Sequence, residues 1–466
     1  MGAFDPLYAK LPVWAQHAAV TAYGLYWRQL RFGPGYDDFV GEYRGREHFS
    51  LSQWKEWQDV ELKHLLSACA NSVSYYRELW DEKQKAAALN GDLYSLPLLE
   101  KDPIRANPKV FLCEDMHPSR PQVFLTSGST GTPISSYFTI PELRESLALR
   151  EVRSARWAGV SFSMPRSTFS GRMVEPNPNS QGPYYRFNLA ERQVYFSAFH
   201  LKPDTAQRYV DALRRHNIQW GTGYAVSFYL LARFMLEKGI PAPNLKAIIT
   251  TSEKLTPEMR VVMEQAYGCR VYEEYSTVEN AVFASECEHG RLHVSPDVAV
   301  VEILRPDGSP CEPEEQGEVV VTSLMRKYQP LVRFRLGDVA MWDSQPCPCG
   351  RQMPVIKEVI GRIEDVVVGS DGRQMVRFHG VFVNQPHVRE GQIIQEALDL
   401  IRVKVVPSDD FGQTDVQDIV HRVQQRLGEQ VKVEVEPVTE IPRTKAGKFQ
   451  AVISNLNDRN IHVLRA

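Results

Sequence analysis

From residue 110 onward the sequence settles into an alternation that few architectures accommodate. Short apolar runs are each followed by a helix-period segment: 122–126 then 142–156, 218–222 then 226–237, and 247–251 then 257–266. Repeated hand-over from a buried strand to an amphipathic helix predicts an α/β body. Residues 50–90 are polar with spaced apolar positions (Trp54, Trp57, Leu62, Leu65, Leu66), a helical pattern broken at Pro97 and again at 101–103. Residues 298–304 and 318–324 are strand-like around the turn Pro306-Asp307-Gly308. Beyond Gly361-Arg362, strands at 401–406 and 431–435 flank a helix at 416–427, a small α+β unit. The expected division is a helical N-terminal part at 1–109, an α/β body of mixed sheets and helices at 110–363, and a small C-terminal lid at 364–466.

Composition excludes several classes. A chain of 466 residues supports more than one buried core. Its formal net charge of −3 gives no general attraction for nucleic acid. No apolar run is long enough to span a bilayer, and residues 1–10 lack the features of a secretion signal. The aromatic-rich segment 11–32 suits either a membrane surface or a helix packed on its own protein, and the second is expected. Of seven cysteines three lie near possible metal partners, and the scatter of the rest fits a reducing cytoplasm rather than a disulfide framework. Oligomeric state is not legible.

The strongest local signal is Val123-Phe124-Leu125 running into Thr126-Ser127-Gly128-Ser129-Thr130-Gly131-Thr132-Pro133. Glycines permit close backbone approach, and successive N–H groups with short hydroxyls can wrap phosphate oxygens. The same composition also makes a plain turn. It is not the GxxxxGK[ST] loop, so a P-loop NTPase is not supported.

This loop resembles the phosphate-binding motif of the adenylate-forming superfamily, with Pro133 and Ile134 where the family usually ends on Lys. Further segments resemble that family's motifs in the family's order. Thr251-Ser252-Glu253 is similar to the turn that lines adenine. Glu273-Glu274-Tyr275-Ser276-Thr277-Val278-Glu279 is similar to the Tyr-Gly-x-Thr-Glu motif, with Ser276 for Gly and Val278 for Thr. The resemblance implies that Tyr275 stacks on adenine and that Glu279 holds Mg²⁺, a cation content with one carboxylate plus phosphates. Arg333-Phe334-Arg335-Leu336-Gly337-Asp338 resembles the ribose motif, making Asp338 the ribose ligand. Gly361-Arg362-Ile363-Glu364-Asp365 resembles the hinge, with Arg362 on phosphate or ribose and Glu364 as the hinge acid. Pro442-Arg443-Thr444-Lys445-Ala446-Gly447-Lys448 matches the C-terminal Pro-x4-Gly-Lys signature. It implies that Lys448, rather than Lys445, meets the carboxylate and α-phosphate. His200 sits where many relatives carry a His near the acyl pocket. Tyr224 joins it as a candidate for the acid, and the aromatics Tyr184, Tyr185 and Phe187 are expected to line that pocket.

Cys287-x-His289-x3-His293 and Cys347-x-Cys349 provide three thiols and a choice of imidazole, a sufficient tetrahedral set for structural zinc. His293 is preferred to His289, though either is within reach. The alternative is three free thiols beside a surface loop.

The resemblance is nearest to the phenylacetate-CoA ligase and coenzyme F390 synthetase branch, including its capsule-biosynthesis members. It implies ATP-dependent activation of a small-molecule carboxylic acid as acyl-AMP, then transfer to an acyl acceptor, with CoA the acceptor by family majority. The hairpin expected at 366–375, on the acceptor side, leaves an amine or hydroxyl as the second choice. A catalytically weakened nucleotide-binding assembly protein is the alternative of another class.

Overall fold

The computed structural model describes residues 8–125, 133–172, 174–177, 179–253, 255–360, 367–369, 374–375, 381–382, 385, 387–439, 441 and 452–456. The strands are β1 (Gln122–Leu125), β2 (Ser135–Phe138), β3 (Arg166–Ser170), β4 (Tyr185–Asn188), β5 (Gln193–Ser197), β6 (Trp220–Gly223), β7 (Ala247–Thr251) and β8 (Arg270–Ser276). There follow β9 (Phe283–Glu286), β10 (Leu292–Val294), β11 (Ala299–Leu304), β12 (Gly317–Ser323), β13 (Phe334–Trp342) and β14 (Val355–Val359). The C-terminal strands are β15 (Val367–Val368), β16 (Gln374–Met375), β17 (Val388–Ala397), β18 (Leu400–Pro407), β19 (Lys432–Pro437) and β20 (Val452–Ser454).

Among the described residues, twelve strands form one sheet in the order β11-β12-β13-β14-β10-β9-β8-β7-β6-β3-β5-β4. Its centre is parallel: β5, β3, β6, β7 and β8 run the same way. The chain goes from β3 to β5 on one side, then crosses to β6 on the other. That reversal opens a crevice at the C-terminal ends of β3 and β6, where α/β sheets take their ligands. Helices Ala206–Arg215, Ala225–Lys238 and Pro257–Tyr267 cover one face, packing Tyr209, Phe228 and Tyr267 against Phe169, Phe196 and Ile248. Helix Leu51–Ser72, with Leu62 and Leu66, covers the antiparallel end against Val319, Val321 and Phe334. The strand–helix alternation is therefore an α/β fold.

Helix Val13–Arg31 packs on β4 and on helix Ile140–Arg150. His17 Nδ1 accepts the Phe187 N–H at 2.8 Å, and Gln16 Oε1 accepts from Arg186 Nε at 2.6 Å. A Cβ at Gly24 would lie 2.2 Å from the Asn188 Oδ1, so the Asn188 side chain rests directly on the helix backbone there. The helix is thus docked on its own protein, with Trp14, Tyr23, Leu25 and Tyr26 on its outer face. No helix of the described residues is long and apolar enough to cross a membrane.

The segment expected as one helix over 142–156 is a helix from Ile140 to Arg150 followed by a π-turn, Glu151–Ala155. Thr139 caps its start in a capping box with Glu142. The widened turn carries the fully buried Arg153 onto Asp297, with hydrogen bonds of 2.5 and 2.8 Å. Near the C-terminus, β19-β18-β17-β20 form a separate sheet under helix Gln413–Leu427, with Ile393, Ile401, Val403 and Ile419 in its core. Phe199 of the body joins that core, and Arg426 lies over its ring at 6.0 Å. The expected hairpin at 366–375 is represented by the antiparallel pair β15 and β16.

Gly223 ends β6 at the crevice with φ +132°, and a Cβ there would lie 1.8 Å from the carbonyl oxygen of Phe169. Gly223→Ala is expected to destabilise the protein by about 2 kcal/mol or more, through left-handed strain and forced separation of β3 from β6. Urea unfolding of the two forms measures it.

Candidate functional site

A cavity of about 1020 Å³ runs from this crevice along the uncovered sheet face. Four chain segments meet at its first end. β7 hands over to Ser252, whose backbone is left-handed at φ +74°, and then to Glu253. A non-glycine residue held there costs roughly 1–3 kcal/mol, which marks a position over-determined by its surroundings. The end of β8 supplies Glu274, Tyr275 and Ser276, and the following loop brings Glu279, largely buried, to the same wall. β13 bulges opposite β12 between Arg335 and Val339, with Gly337 at φ +74°. A bulge re-aims the side chain beside it, and Asp338 lines the cavity. The Tyr275 hydroxyl donates to Asp338 Oδ2 at 2.9 Å, tying two motifs that lie far apart in the chain. Buried Glu274 pairs with Arg150, whose Nε is 3.3 Å from Oε2, and accepts from Ser276 Oγ at 3.3 Å.

Behind this wall is a polar knot that sequence reasoning missed. Glu142, buried, accepts the Thr139 N–H at 2.7 Å on one oxygen and the Lys327 and Tyr328 N–H groups, both at 2.9 Å, on the other. Beside it Arg326 is fully enclosed. It donates to the Glu279 carbonyl at 2.7 Å, the Tyr137 carbonyl at 3.1 Å and Gln329 Oε1 at 2.6 Å, with its guanidinium 4.1 Å from the Phe138 ring centre. Gln329 in turn donates to the carbonyls of Pro108 and Ser135. Burial pulls the Arg326 guanidinium down to about 10, opposed by Glu142 and Glu279. The knot locks hairpin β1–β2, which brackets 126–132, to the Glu279 loop. In sequence Arg326 sits between apolar runs like any surface arginine, and only its long-range partners distinguish it.

Tyr224 lines the cavity. His200 does not: it is buried, stacked on Tyr184 at 5.2 Å, with Nδ1 2.8 Å from Ser197 Oγ and Nε2 2.8 Å from the Asn177 carbonyl. Tyr184 and Tyr185 lie in the core under the opposite sheet face, and Phe187 stacks on His216 at 4.1 Å. The segment does reach the cavity, but through Arg166, Thr168, Gln193 and Tyr195. Thr126, Ser127, Gly128, Ser129, Thr130, Gly131, Thr132, Arg362, Glu364 and Lys448 lie outside the described residues.

Away from the cavity, Cys287, His293, Cys347 and Cys349 bring their ligand atoms within 4.8 Å of one another. β9 leads into Cys287, β10 carries His293, and pairing of β10 with β14 brings in the β13–β14 loop with both remaining thiols. The Sγ atoms of Cys287 and Cys347 are 3.6 Å apart, and His293 Nε2 is 3.3 Å from Cys349 Sγ. Tetrahedral Zn–S bonds give an edge of about 3.8 Å, so the set fits. His293 Nδ1 lies 3.3 Å from the Met353 carbonyl, leaving Nε2 to face the thiols. Burial holds the imidazole down at about 4, and pushes Cys347 up to about 12. His289 is outside the set; its backbone N–H donates to Cys287 Sγ at 3.3 Å.

Comparison with known proteins agrees with this architecture. Residues 369–455 match the CapK C-terminal domain family. Protein CapK of Staphylococcus aureus is 24% identical, over 97% of this chain and 99% of its own. Phenylacetate-coenzyme A ligase of Thermus thermophilus is 23% identical, over 85% of this chain and 95% of its own. Over most of its length the chain is thus similar to the phenylacetate-CoA ligase-like proteins, CapK among them. Solved structures of 2-hydroxyisobutyryl-CoA ligase share this fold. The complex with 2-HIB-AMP and CoA in the thioesterification state superposes with a TM-score of 0.58 at 20% identity, covering 90% of this chain and 94% of that one. The postadenylation complex with R3-HIB-AMP gives 0.55 at 21%, covering 90% and 93%.

Arg326→Met keeps the bulk of the side chain but strips the carbonyls of Glu279, Tyr137 and Gln329, and Gln329 Oε1, of a donor. It is expected to cost about 3–5 kcal/mol. Equilibrium denaturation measures that loss, and a cost under about 1 kcal/mol, the scale of a surface change, would refute the knot's structural role.

Proposed function

We propose that the chain is an AMP-forming ligase that activates a carboxylic acid as its acyl-AMP and passes the acyl group to an acceptor, with CoA the first choice. The observation that carries this reading is the convergence of Ser252, Glu253, Glu274, Tyr275, Ser276, Glu279 and Asp338 on one cavity. Adenine would stack on Tyr275, and the ribose hydroxyls would donate to Asp338, which the Tyr275 hydroxyl already orients. A carboxylate oxygen of the acid attacks the α-phosphorus of ATP, forming a P–O bond while the bond to pyrophosphate breaks. The acceptor's thiol then attacks the acyl carbon, its proton leaves to solvent or base, and AMP departs.

Glu279 would hold magnesium, which supplies charge neutralisation on the phosphates when bound; one largely buried carboxylate beside phosphate oxygens suits it. The loop 126–132 would wrap the phosphates through its N–H groups, and Arg362 would meet phosphate or ribose. Lys448 would offset the negative charge that grows on the α-phosphate. Rotation at the hinge near Glu364 would exchange Lys448 for the acceptor. CoA is favoured because the named ligase relatives are coenzyme A ligases, one of them solved with CoA bound. An amine acceptor is the second reading, because β15 and β16 place a hairpin in the small C-terminal part. The division at 109 and 363 is proposed on the same footing, as is a reducing cytoplasm, which suits seven cysteines without a disulfide.

Exchange of labelled pyrophosphate into ATP, driven by a panel of acids, is the direct test of activation. Lys448→Ala is expected to lower the exchange about 10²–10³-fold, the scale for losing one positioned charge-stabilising donor. Exchange at the wild-type rate in that variant would remove Lys448 from the mechanism. Supplying CoA or amines and weighing the products separates the acceptors.

We further propose that Cys287, His293, Cys347 and Cys349 hold structural zinc, with all four positions taken by protein. Elemental analysis is expected to find zinc equimolar with protein. Cys349→Ser should lose the metal and melt at a lower temperature, whereas His289→Ala should keep both. Zinc retained in Cys349→Ser would overturn this ligand set.

A further inference from the structure

The far end of the cavity carries a different charge pattern. Its floor is the uncovered face of β3 and β5, where Arg166, Thr168, Gln193 and Tyr195 line the space. Arg31, at the end of helix Val13–Arg31, and Arg172, just past β3, also line it. Glu191 sits among them, 3.3 Å from Arg166 and 3.7 Å from Arg31. Arg166 is spoken for, donating to the Phe162 carbonyl at 2.9 Å and to Gln193 Oε1 at 2.8 Å.

Arg31 and Arg172 are not. Among the described residues neither guanidinium donates a hydrogen bond. Arg31 lies over the Trp27 ring at 4.9 Å and reaches Glu191 only at 3.7 Å, and Arg172 lies over the Tyr195 ring at 5.4 Å. Arg31 and Arg166 therefore share one carboxylate, and Arg172 has no ion pair among the described residues. Burial, together with the like charges of Arg172 and Arg166, holds the Arg31 guanidinium below its ordinary value against the pull of Glu191. An arginine stays charged in such a setting, so the unused donors and unrelieved repulsion call for an anion.

Position decides which anion. Arg166 begins β3 and Ser170 ends it at the nucleotide crevice, a run of roughly 13 Å along an extended strand. Arg31 and Glu191 gather at the Arg166 end, and Arg172 folds back over Tyr195, which pairs with Thr168 in mid-strand. The triphosphate belongs at the other end. We propose that this pocket binds a second anionic group of the substrate, making it a carboxylic acid with a distal carboxylate or phosphate rather than a neutral aryl or alkyl acid. Thr168 Oγ1 and Gln193 Nε2, already joined at 2.6 Å, offer a polar floor for the same group.

This rests on the acid-activation reading, and the test separates the two. Pyrophosphate exchange is measured with matched pairs of equal length: monocarboxylic acids, their α,ω-dicarboxylic counterparts, and acids ending in a phosphate. Dianionic acids are expected to drive exchange best, and the two dianion arms tell carboxylate from phosphate. Arg31→Gln and Arg172→Ala should each raise KM for the dianion about tenfold or more, the scale of one charge-assisted hydrogen bond, with KM for ATP unchanged. Exchange driven equally well by neutral acids would overturn the proposal. So would a rise in KM for ATP in these variants, which would give the arginines to the triphosphate. If no acid drives exchange, acid activation falls, and the pocket is judged by calorimetry with the same acids and no ATP. Dianion binding that is lost in Arg31→Gln then sustains the anion site, and no dianion binding refutes it.

Discussion

The architecture of the cavity hangs on one buried cation, Arg326, and the groups that share its charge. Glu142 closes the start of helix Ile140–Arg150 with one oxygen and holds the Lys327–Tyr328 backbone with the other. Arg326 spans the gap from Tyr137 to Glu279. It is a polar tie between the β1–β2 hairpin and the loop bearing Glu279, which also share one hydrophobic core through Ile134, Ala281 and Val282. A buried charge with unpaired neighbours is costly, so the knot permits essentially one arrangement of these loops. Strain is tolerated beside it: Ser252 and Asn280 both hold positive φ along the cavity edge.

The same wall explains why the cavity is polarised. Glu253, Glu274, Glu279 and Asp338 line one end, while Arg31, Arg166 and Arg172 gather at the other. Glu274 is offset by Arg150, yet the cationic end has only Glu191. A ligand spanning the cavity meets donors and acceptors in opposite order along its length. Such a field favours an extended ligand with an anionic group at the end that carries Arg31 and Arg172.

Much of the fold was legible because strand–helix alternation is a local pattern. The strands expected at 247–251 and 298–304 and the helix expected over 257–266 reflect burial periodicity within ten residues or so. The motif residues Ser252, Tyr275 and Asp338 were legible as a set, and the sheet brings them to one wall. What stayed hidden depends on pairs far apart in sequence. Glu142, Arg326 and Gln329 read as ordinary polar residues until their partners are known. The aromatics of β4 illustrate a different limit: alternation identifies two faces but not which one meets the cavity. Tyr184 and Tyr185 fell to the helix-covered side, and polar Thr168 and Gln193 took the cavity side. His293 over His289 was likewise decided by register, because pairing of β10 with β14 carries residue 293 to the thiols.

The cysteine–histidine cluster and the polar knot brace the same strands from opposite ends. Glu279 precedes β9 and Cys287 follows it; Asp338 lies within β13, and Cys347 and Cys349 lie in the loop beyond. A tie at the cluster therefore fixes how far β9 can slide against the β13–β14 pair. Such a slide would change the separation of the Glu279 and Asp338 backbones on the cavity wall. The Tyr275–Asp338 hydrogen bond, at 2.9 Å, has little slack to absorb it. The cluster of three thiols and one imidazole need not line the cavity to affect its geometry. It acts through the register of strands whose other ends carry the cavity's carboxylates.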